Sequence, residues 1–282
     1  MKGKILNILL ILILVAGLSL MLYPTISNAY NSYLQSQIIV EYSEQVNEME
    51  EAAFRAELEA AQAYNEALLG RSDSFHLTEA LEAEYWNRLS TTSKGVMAYI
   101  EIPSISVTLP IAHGTDEKTL AKYVGHMPWS SLPVGGESTH CVVSGHRGLP
   151  STELFTNIDQ MEIGEKFYVH VLGQTLEYRV ANIAVVEPYD YSLLRIVEGK
   201  DFFTLVTCTP YGINSHRLLI QGVRINGEGG VDPGDLPVWN EIRGVDMMVV
   251  IPVALAMIIV AAFLVLLSLD DKRRKGKGDG SK

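Results

Sequence analysis

The chain has 282 residues, 48% of them hydrophobic and 20% charged, which is enough to bury a core and too apolar for general disorder. Its 22 basic and 33 acidic residues leave a formal charge of −11, so there is no basic surplus to neutralise phosphates and no nucleic-acid partner is expected. Two cysteines, Cys141 and Cys208, are too few for a disulfide scaffold, and they lack the CxxC pairing of a structural zinc site.

From Ile5 to Leu22 the sequence ILNILLILILVAGLSLML carries no charge. As a helix it reaches roughly 27 Å, close to the hydrocarbon thickness of a bilayer. Lys2 and Lys4 mark its start as cytoplasmic. Ser27-Asn28-Ala29 offers a weak cleavage site, so residues 1–24 read as an anchor or a signal segment, with the anchor preferred. Residues 247–269 form a second uncharged run, followed by a basic tail at 270–282 that also points to the cytoplasmic side. Both termini are therefore expected in the cytoplasm if the first segment is uncleaved, with everything between them outside.

Residues 31–69 hold eight Glu and one Arg among Ala, Gln and Leu, the composition of a solvated helical arm that acts as spacer and packing element. The stretch Leu69-Gly70-Arg71-Ser72-Asp73-Ser74-Phe75 breaks the helix. Thr78 then offers an N-cap for a short amphipathic helix from Glu79 to Leu89, with Glu79 and Glu82 near its positive end. The arm with its loop, 71–76, thus occupies 31–94.

After Gly95 the pattern changes to strands. VMAYIEI is a continuous apolar run, and Ile105, Val107, Leu109 and Ile111 alternate with smaller or polar residues. Further strands are expected at 139–144, 167–172, 175–186, 202–207 and 218–225. Seven or eight strands in so short a stretch suggest a closed or nearly closed β-barrel over 95–226, joined by a Pro, Gly and Asp linker at 227–245 to the second span.

Cys208 follows the apolar strand FFTLVT, where a side chain emerges into a loop; taken alone, a cysteine in this place is more often a small core side chain than a nucleophile. His146 lies on a turn just past THCVVS, and Arg217 begins the strand LLIQGVRI nine residues after Cys208. Alternating strand directions can bring the three to one rim. There an imidazole and a guanidinium raise the thiolate fraction of a cysteine, the imidazole protonates a leaving amine, and the guanidinium holds an oxyanion. His113, His126, His140 and His170 share no metal spacing and read as satisfied or solvent-facing rings, with His216 a neighbour of the site. Cys141 reads as a buried free thiol. No metal or cofactor is expected.

The stretches TLVTCTPYGINSHRLLIQG, SGHRGLPSTELFTNIDQM and GVMAYIEIPSISVTLPIAHGT closely resemble class C, pilin-polymerising sortases over about 130 residues. The resemblance implies a mainly β, sortase-like barrel with an N-terminal helical arm and lid, flanked by two transmembrane helices. It implies a cysteine transpeptidase in the membrane of a Gram-positive cell: Cys208 would cleave an LPXTG-like sorting signal between Thr and Gly and pass the acyl group to a pilin lysine. His146 would serve as acid and base, and Arg217 would position the signal and stabilise the oxyanion. Thr207 would line the cleft or be an ordinary strand residue. The family's lid, an Asp-Pro-aromatic motif, corresponds to Asp73-Ser74-Phe75, which lacks the proline. If it operates, Asp73 pairs with Arg217 and Phe75 packs over Cys208. A housekeeping sortase that attaches proteins to the cell wall, or a non-catalytic peptide-binding scaffold, are the alternatives.

Overall fold

A computed structural model of the chain describes residues 2–71, 75–90, 92, 94–225, 255, 258 and 259. The chain divides into two units, and the elements that build the site belong to the second, Tyr30–Trp239.

Helix α1 spans Lys2–Asn47, and within it Leu9–Asn47 is long and apolar enough to cross a membrane, with a mean hydropathy of 2.4 in its most apolar window. The proposed second span, 247–269, lies outside the described residues apart from Leu255, Ile258 and Ile259, which are helical. The linker 227–245 and the tail 270–282 also lie outside them.

The acidic stretch 31–69 contains more than one helix. Helix α1 stops at Asn47, and α2 runs over Glu51–Ala67 after a short break. Neither is merely solvated, because each buries a stripe. Ile38, Ile39, Tyr42 and Val46 of α1 cover Val96, Tyr99 and Ala112, while Ala61, Tyr64 and Leu68 join the main core. The heptad-like apolar positions were hidden by the charge around them. Helix α3, Glu79–Asn87, forms as its cap predicts, with Thr78 Oγ1 accepting from the Leu81 amide at 3.4 Å.

Eight strands follow: β1 Val96–Ile102, β2 Val107–His113, β3 Val124–His126, β4 Thr139–Ser144, β5 Lys166–Val171, β6 Gln174–Val186, β7 Asp201–Thr209 and β8 His216–Arg224. A four-residue helix, α4, spans Glu117–Leu120 between β2 and β3. The strands close into a barrel in the order β1-β2-β3-β4-β7-β8-β6-β5, with β2/β3 and β4/β7 parallel and the other pairs antiparallel. Strand β1 is apolar without alternation because it is covered twice: Met97, Ile100 and Ile102 face the barrel core, and Val96 and Tyr99 face α1. Inside, Phe167, Tyr178 and Phe203 form a ring cluster with centroids 5.3–5.7 Å apart.

The β4/β7/β8 part of the wall has a second apolar face. Phe203, Leu205, Leu218 and Ile220 point into the core, while Val206, Leu219 and Val142 pack outside with Leu194, partly covered by Met127, Trp129 and Tyr191. Val142, Val206 and Leu219 of this outer face are buried beneath two segments that frame a groove. One side is the segment 127–134, which α2 holds: Asn65 donates to the Leu132 carbonyl (3.2 Å) and accepts from its amide (2.7 Å), and Tyr64 reaches the Pro128 carbonyl (3.2 Å). The other side is the β6–β7 connection with its 3-10 turn, Ser192–Leu194.

Candidate active site

Side chains alternate along a strand, so Cys208 lies on the face of Val206. It is free and half-buried. Arg217 is its direct partner across the antiparallel β7/β8 pair, which puts their Cβ atoms about 4.5–5.5 Å apart on one face. Arg217 Nη1 donates to the carbonyls of Asn214 (3.2 Å) and His216 (3.0 Å), a clasp on the β7–β8 turn that restrains its stem.

The loop that carries His146 is tied to β7 from the other side. The parallel ladder pairs Ser144 with Val206, and β4 ends there, yet the register runs on. The Gly145 amide donates to the Val206 carbonyl (3.0 Å), and buried Thr207 donates its hydroxyl to the Gly145 carbonyl (2.7 Å). Two residues on, Arg147 Nη1 donates to Thr209 Oγ1 (3.2 Å). His146 lies in the loop between these two bonds, one residue past Gly145, while Cys208 and Arg217 are cross-strand partners on β7 and β8.

The two cysteines differ in environment. Burial pushes the Cys141 thiol well above its ordinary range, so it stays protonated and inert within the core. Four other histidines, His113, His126, His140 and His170, are buried and make structural contacts. His113 is held between the carbonyls of Gly95 and Arg88, His126 lies between Tyr85 and the Ser131 carbonyl, and His170 stacks on Tyr99 beside Glu101. His140 has the Arg195 carbonyl 2.8 Å from Nδ1 and Thr204 Oγ1 2.7 Å from Nε2. A carbonyl only accepts, so Nδ1 carries the proton and Nε2 accepts from the Thr204 hydroxyl. Burial pushes its pKa down to about 4, and the neutral ring pins the β6–β7 wall to the groove. Among the described residues no cluster of His, Cys, Asp and Glu is arranged to hold a metal ion.

Asp73 and Ser74 of the expected lid lie outside the described residues. Phe75 packs edge-on to Trp129 at 5.1 Å and tilted on Tyr191 at 5.0 Å, with the Arg195 guanidinium 5.3 Å from its ring. It lines a cavity of about 450 Å³ together with Arg71, Trp129, His140, Leu194 and Arg195. Trp129 and Leu194 also belong to the apolar cluster outside β4, β7 and β8, and Cys208 is not among the described residues that line this cavity.

Sequence reasoning missed the groove residues Val142, Trp129, Tyr191 and Leu194. Nothing in a linear pattern says that β4, β7 and β8 become neighbours. Arg147 had a signal, its place within the quoted GHRG segment.

A family profile, the Sortase domain, matches residues 100–225. Sortase D of Bacillus subtilis is 31% identical over 129 residues, which is 45% of this chain and 62% of that protein; the chain thus matches about three fifths of this curated relative. Among solved structures, sortase C1 of Streptococcus agalactiae is 42% identical with a TM-score of 0.66, covering 68% of this chain and 100% of that one. Sortase C of Streptococcus pneumoniae, a structure described for its bearing on catalysis and pilin substrate specificity, is 41% identical with a TM-score of 0.61 and covers 69% and 100%. The chain belongs to the sortase family, and its structural neighbours are class C sortases.

Proposed function

We propose that this chain is a membrane-anchored cysteine transpeptidase that joins pilin subunits. The observation that supports the reading is the Cys208–Arg217 cross-strand pair, with the His146 loop tied beside it by the Thr207–Gly145 and Arg147–Thr209 hydrogen bonds. An extended LPXTG-like signal lies along the groove framed by Trp129, Tyr191 and Leu194 and brings its Thr carbonyl to Cys208. The Cys208 thiolate forms a bond to that carbonyl carbon, and the oxyanion is held by Arg217. The Thr–Gly C–N bond then breaks, the glycine amine leaves with a proton from His146, and a thioacyl enzyme remains. A lysine ε-amine attacks the thioester and gives its proton to His146. The Cys208–carbonyl bond breaks, which yields an isopeptide and restores the thiolate.

Thr207 acts in this scheme through the Gly145 carbonyl, holding the His146 loop rather than contacting substrate. The loop 71–76 serves as a lid: Phe75, packed on Trp129 and Tyr191, occupies one end of the groove, Asp73 is the residue assigned to pair with Arg217, and an arriving signal displaces the loop. Water competes with the amine for the thioester, so a covered groove favours transfer over hydrolysis. The apolar part of α1 and the run 247–269 anchor the enzyme with its barrel on the outer face, where secreted substrates arrive.

The test uses the full chain in detergent with a purified pilin that carries an LPXTG-like signal. Covalent ladders resistant to denaturant are expected, and they vanish when the acceptor lysine is replaced. Signal cleavage with transfer only to a cell-wall amine would overturn the pilus assignment and leave a housekeeping role.

A further inference from the structure

Residues 146–148 lie beyond the last β4 ladder pair, so main-chain pairing with β7 does not hold them. Arg147 supplies the hold instead. Its Nη1 donates to Thr209 Oγ1, and Nη2 pairs with Asp159 in the 3-10 turn Ile158–Gln160. Its guanidinium carbon stands 5.8 Å from the centre of the Tyr211 ring. The side chain is only 9% exposed, and Nε is buried without a hydrogen-bond partner. Desolvating a guanidinium so far is costly, and one half-exposed carboxylate offsets it incompletely. A tether to the surface would not require it.

The neighbours of Arg147 are built around it. The His146 carbonyl accepts from the Phe155 amide (3.1 Å), and the Gly148 amide donates to Thr156 Oγ1 (3.1 Å). Gly148 has φ +78°, and a Cβ there would meet the Tyr211 ring at 3.0 Å, so only glycine lets this ring close over Arg147 without strain. One residue thus spans three parts of the chain: the loop bearing His146, the strand end bearing Cys208, and the turn at Asp159.

We propose that Arg147 is a positioning residue for acyl transfer: by bridging Thr209 and Asp159 it holds the imidazole of His146 level with the thiol of Cys208. This rests on the transpeptidase reading above. Arginine is required because a planar fork reaches two acceptors at once, whereas the lysine ammonium is a point charge on a flexible stem. The groove is untouched by Arg147, so its loss affects the chemical steps and not the binding of the signal.

The experiment compares the full-length protein in detergent with Arg147→Lys, Arg147→Gln, Thr209→Val and Thr209→Ser. Turnover of an LPXTG-type peptide with an amine acceptor is measured across pH, alongside thermal melting. A misplacement of about 1 Å at the imidazole predicts a fall in kcat of about 10- to 100-fold for both Arg147 variants. KM is expected to stay within about twofold, because the groove contacts remain. Thr209→Val reproduces part of that loss, and Thr209→Ser, which keeps the hydroxyl, recovers most of it. Wild-type kcat and pH profile in Arg147→Lys and Arg147→Gln would overturn the proposal, as would a loss confined to KM. If Arg147→Gln does not fold, equal kcat in the Thr209→Val and Thr209→Ser proteins overturns it as well. An inert wild-type protein would instead sink the transpeptidase reading, and the positioning role with it.

Discussion

A Cβ on Gly145 would sit 2.7 Å from the Phe155 ring, while the backbone of the same residue bonds to Val206 and accepts from Thr207. Gly145 is therefore where the ring of a buried core residue and the loop leading to His146 come closest. Gly145→Ala must push Phe155 or the loop aside, and overpacking of this kind costs about 1–3 kcal/mol. Chemical denaturation should show that loss, with a larger fall in kcat than in stability, because the displaced segment carries His146. An alanine variant with unchanged denaturation midpoint and kcat would show that the loop yields freely. At this scale strand ends and motif order singled out Cys208, His146 and Arg217, and the structure pairs Cys208 with Arg217 across β7 and β8. The tie of the His146 loop to β7 was not legible, since it depends on a parallel β4/β7 pair separated by more than fifty residues of chain.

Tyr42 shows how an element outside the barrel takes part in its stability. The ring of this α1 residue is fully buried, edge-on to Tyr99 with centroids 6.1 Å apart. Its hydroxyl donates to the Met97 carbonyl (3.0 Å) and accepts from the Leu172 amide (2.9 Å), so it links β1 to the β5–β6 turn. Tyr42→Phe keeps the packing and leaves a buried amide and carbonyl unpaired, a loss of about 1–3 kcal/mol. Hydrogen exchange should locate it, with faster exchange at Leu172; unchanged protection there would contradict the assigned role. Most elements were legible because their apolar periods are unambiguous, and β4 has the boundaries expected for it. Two features were not. Strand β3 has three residues, too few for a period, and its Gly125 is imposed by the Gly114 carbonyl 2.3 Å from where a Cβ would lie. Ile105 continues an apparent alternation but sits in the 3-10 turn Pro103–Ile105, which Pro103 starts. The break between α1 and α2 was hidden because helix-forming residues continue through it.

The whole molecule carries buried imidazoles that make its stability depend on pH. Burial pushes His126 down to about 3 and His140 down to about 4, whereas an unfolded imidazole titrates near about 6.5. Below about pH 6.5 the unfolded chain binds protons that the folded chain does not, so stability falls as pH falls. The contribution is fully present above that pH and is lost progressively toward about pH 4 for His140 and about pH 3 for His126. Each group contributes about 1.4 kcal/mol per pH unit across its window. Denaturation midpoints should drop between pH 7 and pH 5, and the slope should shrink in His140→Gln. A flat profile over that range would show that the two rings are not held neutral. His140 also ties Arg195 to Thr204, so acid should loosen the β6–β7 wall of the groove before the barrel opens.

At this same scale the proposed activity begins with one covalent event at the end of β7. Intact-mass analysis of the full chain incubated with an LPXTG-type peptide and no amine tests it most directly. The predicted result is a mass increase equal to the acyl portion ending in Thr, located on Cys208, absent in Cys208→Ala and released when an amine is added. An adduct on another residue, or peptide turnover that persists in Cys208→Ala, would contradict it.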